Sequence, residues 1–183
     1  MLALIIIAVI AVLLILYVIS TYNSLVNSRN KVKDQWSQVQ VLLKRRYDLI
    51  PNLVETVKGY AKHEKETLDA VINARNAAVS AKTTEEEIKA AGDVSNALGR
   101  LIAISESYPE LKANENFMDL QNNLKETEDK ISFSRQFYND SVLTYKNKLE
   151  MFPSNIIAGL FKFEPEVFFE ASEEERKNVQ VKF

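Results

Sequence analysis

An all-α protein, an antiparallel four-helix bundle following an N-terminal transmembrane helix, is the fold class this sequence predicts. Three observations predict it. Residues 1–19 (MLALIIIAVIAVLLILYVI) carry no charge, glycine, proline or amide side chain, and a helix of that length reaches about 30 Å, the thickness of a bilayer's hydrocarbon core. Only four glycines and four prolines occur, so Pro51, Pro109, Pro153 and Pro165 divide the chain into long unbroken blocks. Within those blocks apolar residues recur in steps of three and four, the spacing of packed helices.

The first element is the span, assigned to residues 1–20. A cleaved secretory signal would open on basic residues and close on a small-x-small site, and neither is present around Ile19-Ser20-Thr21-Tyr22. A run that is apolar on every face does not suit a helix with a solvated side. Between Thr21 and Tyr60, seven basic residues (Arg29, Lys31, Lys33, Lys44, Arg45, Arg46, Lys58) face three acids (Asp34, Asp48, Glu55). The positive-inside bias then favours a single-pass cell-membrane protein, N-out and C-in, with the bundle in the cytoplasm. Overall, 23 basic residues against 25 acidic ones leave no concentrated basic face for nucleic acid.

The bundle is assigned to residues 21–151. Its first seam is Tyr22, Leu25, Val32, Trp36, Val39 and Leu43, with Arg29 in one seam position. Pro51 either kinks a long helix or sits in the first turn after a break at Asp48–Ile50. The break is favoured here, because it yields helices over 22–48, 51–81, 84–108 and 114–151, similar enough in length to pack together. Leu53, Val57, Tyr60 or Ala61, Leu68, Val71 or Ile72, and Ala78 mark the second; Ile88, Ala91, Ser95, Leu98, Ile102 and Ser105 the third. Phe117, Leu120, Leu124, Ile131, Tyr138, Val142, Tyr145 and Leu149 mark the fourth. Thr84 ahead of Glu85-Glu86-Glu87 predicts a helix cap, as does Asn114, while Tyr108-Pro109 predicts a helix end.

Two stretches mix polar and apolar side chains in ways that need an account. Arg46 falls on the seam of Val39 and Leu43, so its guanidinium should point inward and require a carboxylate. Asp48, Glu55 and Glu64 are the candidate partners. Either the patch around Arg45 and Arg46 binds an anion or partner, or the ion pair fixes helix register; register is the simpler reading. The second stretch, residues 152–169, holds five of the nine phenylalanines. They either fold back on the bundle as a cap, the reading preferred here with Pro165 closing the packed segment, or contact lipid or a partner. Residues 170–183 form a charged C-terminal end.

Catalytic inventory is thin. One histidine, His63, and no cysteine exclude the usual zinc sites and most nucleophile–base arrangements. No glycine-rich phosphate loop and no serine elbow is present. No cofactor, no metal and no enzymatic activity are expected.

The stretch Trp36-Ser37-Gln38-Val39 through Lys44-Arg45-Arg46-Tyr47-Asp48-Leu49-Ile50-Pro51-Asn52-Leu53-Val54-Glu55, together with Tyr138-Asn139 and Phe152-Pro153-Ser154-Asn155-Ile156-Ile157-Ala158-Gly159-Leu160-Phe161-Lys162-Phe163, resembles the LemA family. The resemblance covers almost the whole chain. It implies a bacterial single-pass membrane protein with an antiparallel four-helix bundle and carries over no catalytic residue. Trp36, Arg45, Arg46, Asp48, Pro51, Asn52 and Glu55 match the family signature, and Phe152, Pro153, Phe161 and Phe163 its tail. The expected function is a membrane scaffold that self-associates, with Ala8 and Ala11 on one face of the span where backbones approach closely. The alternative is a receptor or adaptor binding a peptide, a lipid headgroup or a cytoplasmic protein partner.

Overall fold

The computed structural model describes residues 1–170. They form six helices and no strand: α1 (Leu2–Tyr60), α2 (Lys65–Ser80), α3 (Thr84–Ser105), α4 (Pro109–Lys112), α5 (Glu115–Glu150) and α6 (Ser154–Leu160). The chain divides into two compact units, the first of residues 1–37 and 136–168, the second of residues 38–135 continuing at 169. The expected charged end lies, beyond Glu170, outside the described residues.

The favoured break at Pro51 does not occur. α1 is one helix of 59 residues with Pro51 inside it. The reason is the seam on either side: Val39, Leu43, Arg46, Tyr47, Ile50, Leu53, Val54 and Val57 are buried in unbroken helical phase, while Pro51 faces solvent. An interior proline costs about 3 kcal/mol. Burying Ile50, Leu53, Val54 and Val57, at roughly 1.5–3 kcal/mol each, exceeds that.

The reversal comes later, at Ala61–Glu64, where Ala61 N–H still donates to the Val57 carbonyl at 2.8 Å. The block expected as one helix over 51–81 is therefore shared between α1 and α2. α2 packs on α3, burying Leu68, Val71 and Ala78 from one helix and Ala90, Ala91, Val94, Ala97, Leu98 and Leu101 from the other. The small alanines suit close approach of two helices.

α3 starts at Thr84 as expected, but its capping residue differs. Thr83, not Thr84, is the cap: its side-chain oxygen accepts from Glu86 N–H at 3.2 Å, and the Glu86 carboxylate accepts from Thr83 N–H at 3.3 Å. This reciprocal box satisfies two donors that the helix leaves unpaired. α3 ends at Ser105, three residues before the expected limit, and Pro109 opens the short α4, where its missing N–H costs nothing. Asn114 caps α5 by accepting from Phe117 N–H at 3.0 Å.

In the first unit, residues 2–17 of α1 stand with their large apolar side chains uncovered by protein, from Leu2 at 74 % exposure to Tyr17 at 40 %. The helix is long and apolar enough at its N-terminal end to cross a membrane once. Beyond it, Leu25, Val32 and Trp36 are buried with Tyr138, Val142 and Tyr145 of α5 and Ile157 and Ala158 of α6. Trp36 and Tyr138 stack at 5.0 Å between ring centroids. Lys148 donates to the Ser24 and Ser28 hydroxyls at 2.8 and 2.7 Å.

Candidate functional site

Three helices of the second unit each contribute one polar side chain to a common point: Arg46 from α1, Ser95 from α3 and Glu128 from α5. The structure brings all three together. Arg46 is buried to 1 % exposure. Its Nη1 donates to Ser95 Oγ at 2.9 Å and to Glu128 Oε2 at 2.8 Å, and its Nη2 donates to the Ala91 carbonyl at 3.0 Å. Ser95 also donates to the Ala91 carbonyl, at 3.1 Å, closing the ring of bonds. The guanidinium lies 5.6 Å from the centre of the Tyr47 ring. Burial pushes the Tyr47 hydroxyl above its ordinary value, and the neighbouring guanidinium opposes that shift.

Chemically this is a cross-brace. A planar guanidinium, with five N–H donors in fixed directions, suits a bridge between three elements. The Arg46 Nε–H is buried without a partner among the described residues. Glu128 reaches the guanidinium from the surface, its side chain 47 % exposed. A cavity of about 220 Å³ adjoins the brace, lined by Arg46, Ser95 and Glu128 together with Arg135, Phe169 and Glu170. The Phe169 ring is buried there, with the Arg135 guanidinium 5.4 Å from its centre.

None of the three partners expected for Arg46 holds it. Asp48 lies two residues on, off the buried face of the helix, and pairs with Lys44 at 2.7 Å. Glu55 pairs with Lys58 at 3.3 Å, and Glu64 accepts from the Tyr108 hydroxyl at 3.0 Å. Arg45, beside Arg46 in sequence, is half-exposed and lies 3.7 Å from Glu126 of α5. Lys130, then Arg45, hold the Glu126 carboxyl below the usual range.

A second constellation lies in the first unit. Tyr138 and Tyr145 sit two turns apart on α5 and donate their hydroxyls to the carbonyls of Val167 at 2.7 Å and Glu164 at 3.0 Å. Burial, then Glu166, pushes the Tyr138 hydroxyl up to about 12. Around the start of this tail, Tyr22 meets Phe161 and Phe163 edge to face at 4.8 and 5.6 Å, and Arg29 lies 5.2 Å over the Phe163 ring. Pro165 does not close the packed segment, because Val167 and Phe168 continue it. An extended chain tolerates proline without losing a helical bond.

The model of the LemA family matches residues 35–183. The chain belongs to the LemA family. Among curated relatives, Protein LemA of Metamycoplasma hominis is 27 % identical over 86 % of this chain and 72 % of its own length. Magnetosome protein MamQ 2 of Paramagnetospirillum magneticum is 27 % identical over 88 % of this chain and 71 % of its own. Magnetosome protein MamQ of Magnetospirillum gryphiswaldense is 25 % identical over 81 % and 64 %.

The LemA signature residues do not form one patch. Trp36 lies in the core of the first unit, and Arg46 in that of the second. Pro51, Asn52 and Glu55 are on the surface, Asn52 and Glu55 lining a shallow groove with Thr56. In the tail, Phe163 is half-buried, whereas Phe152, Pro153 and Phe161 are exposed. His63 is exposed in the turn after α1, and no group of three or more metal-ligating side chains occurs among the described residues.

Proposed function

We propose that this LemA family chain is a non-enzymatic scaffold that self-associates at the cell membrane, its helices forming an antiparallel four-helix bundle. One observation carries the reading: the apolar N-terminal stretch passes into the soluble region as the same helix, α1, with no linker between them. A tethered catalyst needs reach; a scaffold needs its helices presented in a set direction. The pairing of Trp36 with Tyr138, and of Ser24 and Ser28 with Lys148, supports the antiparallel arrangement. The internal use of Arg46 supports a structural role for the polar patch, since its bonds go to this chain's own acceptors.

Self-association is assigned to the span, where Ala8 and Ala11 lie three apart on one face. The basic residues after the span support an N-out, C-in orientation with the soluble part in the cytoplasm. The chain has no cysteine of its own, so Ala8→Cys and Ser80→Cys serve as clean probes. Ala8→Cys in native membranes, treated with a copper–phenanthroline oxidant, should give a disulfide-linked dimer; monomer alone at native expression contradicts self-association. Ser80→Cys should react with an impermeant maleimide only after the cells are opened; labelling of intact cells contradicts the orientation.

A further inference from the structure

We propose that α6 and the residues flanking it form an interfacial foot, resting in the headgroup and upper acyl region of the same bilayer that the span crosses. The proposal rests on reading residues 1–19 as that span. It concerns the first unit alone.

Position is the first argument. Tyr22 lies three residues beyond Ile19, about one helical turn from the end of the apolar run. The Phe161 ring sits 4.8 Å from the Tyr22 ring, so the C-terminal end of α6 is within a ring's width of the helix segment where the apolar run gives out. Whatever depth the span takes in the bilayer, the foot is held beside its exit. Tyr17 and Tyr22 bracket that exit, and aromatic side chains of this kind gather at the boundary of lipid and water.

Exposure is the second. Ile157 and Ala158 turn inward and are buried, while Phe152 is 79 % exposed and Leu160 70 %. Met151, Ile156 and Phe161 are exposed as well. Ile156 and Leu160, four apart on α6, share a face. Single exposed apolar side chains are ordinary, but a group of five within one short stretch marks a contact surface. No charge interrupts the chain from Met151 to Phe161. That stretch is too short to cross a membrane and suits an interfacial segment. Lys162, exposed directly after it, can carry its ammonium to the headgroups. Continuity with the span, and the lack of charge, favour lipid over a second copy of the chain or a polar partner.

The test uses the full-length chain in phosphatidylcholine vesicles, with a polarity-sensitive fluorophore on a single cysteine at Leu160, Leu13 or Ser37. Nitroxide lipids labelled at acyl carbon 5 or 12 act as depth-resolved quenchers. Ser37 lies on α1, 18 residues past Ile19, and serves as the aqueous reference. The label at Leu160→Cys should be quenched severalfold more than that at Ser37→Cys, more by carbon 5 than by carbon 12, and equally in low and high salt. Phe152→Cys should behave the same way. If the Leu160 label matches Ser37 while the Leu13 label is quenched, the foot is wrong and the anchor stands. If the Leu13 label is unquenched too, the anchor fails and takes the foot with it. A Leu160→Cys disulfide dimer without lipid quenching assigns this surface to a second copy and overturns the proposal.

Discussion

The Tyr138 hydroxyl donates to the Val167 carbonyl at 2.7 Å, tying a C-terminal segment to a helix that lies 29 residues earlier in the chain. Tyr145 repeats the bond two turns on, to Glu164 at 3.0 Å. Two phenols on one helix face thus hold an extended stretch that has no ladder partner of its own. Tyr138→Phe and Tyr145→Phe should each cost about 1 kcal/mol while preserving ring packing. Limited proteolysis should then cut between Phe163 and Glu170 faster in the double variant than in the parent; equal rates would mean the bonds do not hold the tail.

Alkaline pH should release the same contact. The Tyr138 hydroxyl stands at about 12 against an ordinary value of 10.0, raised first by burial and then by Glu166. A raised value means the native state keeps its proton after the unfolded chain has lost it. The contribution is full below pH 10 and declines as pH rises from 10 through 12. Denaturant titrations across that range should show a steeper loss for the parent than for Tyr138→Phe. Parallel curves would remove Tyr138 as the group responsible.

Arg46→Met and Glu128→Gln should differ in severity. Removing the guanidinium deletes all three of its bonds and leaves Ser95 and the Ala91 carbonyl bonded only to each other at that point; removing the charge of half-exposed Glu128 leaves its partner with two other acceptors. We expect about 3–5 kcal/mol for the first and about 1–2 kcal/mol for the second, with a non-additive double variant. Chemical denaturation reads both. Equal small losses would argue against a brace.

Pro51→Ala should stabilise the protein by about 1–2 kcal/mol, because it restores a backbone donor inside a continuous helix. A break at this position would instead make the change neutral or unfavourable.

Much of this fold could be read from spacing. The seams through Leu25, Trp36, Leu43, Leu124, Tyr138 and Tyr145 follow from steps of three and four, and each of these residues is buried. The course of α1 through Pro51 departs from the expected break because a proline's cost is local. The in-phase seam from Val39 to Val57 outweighs it, and that seam was already visible. The reversal at Ala61–Glu64 had only Gly59 as a signal, since Lys62 and His63 are not turn residues by composition. The Arg46 site was half legible. Ser95 stands on its seam and announces a buried partner as Arg46 does; half-exposed Glu128 stands on none of the seams and gives no such signal, and proximity in sequence points instead to Asp48, which faces away. The tail carbonyls of Glu164 and Val167 had no sequence signal, because a backbone acceptor looks the same at every residue.

Deleting residues after Glu150 should lower stability by about 3–5 kcal/mol, from the lost burial of Ile157 and Ala158 and the two tyrosine bonds. Thermal melts of the full and shortened chains in the same vesicles check this. An unchanged melt would make the tail an appendage.

Counting photobleaching steps for a fluorescent fusion of the full chain, at native expression in its own membrane, tests the scaffold reading most directly. The account predicts spots that bleach mostly in two or more steps, shifting toward one step when Ala8 and Ala11 are both replaced by isoleucine. Single-step bleaching of the parent chain would contradict it.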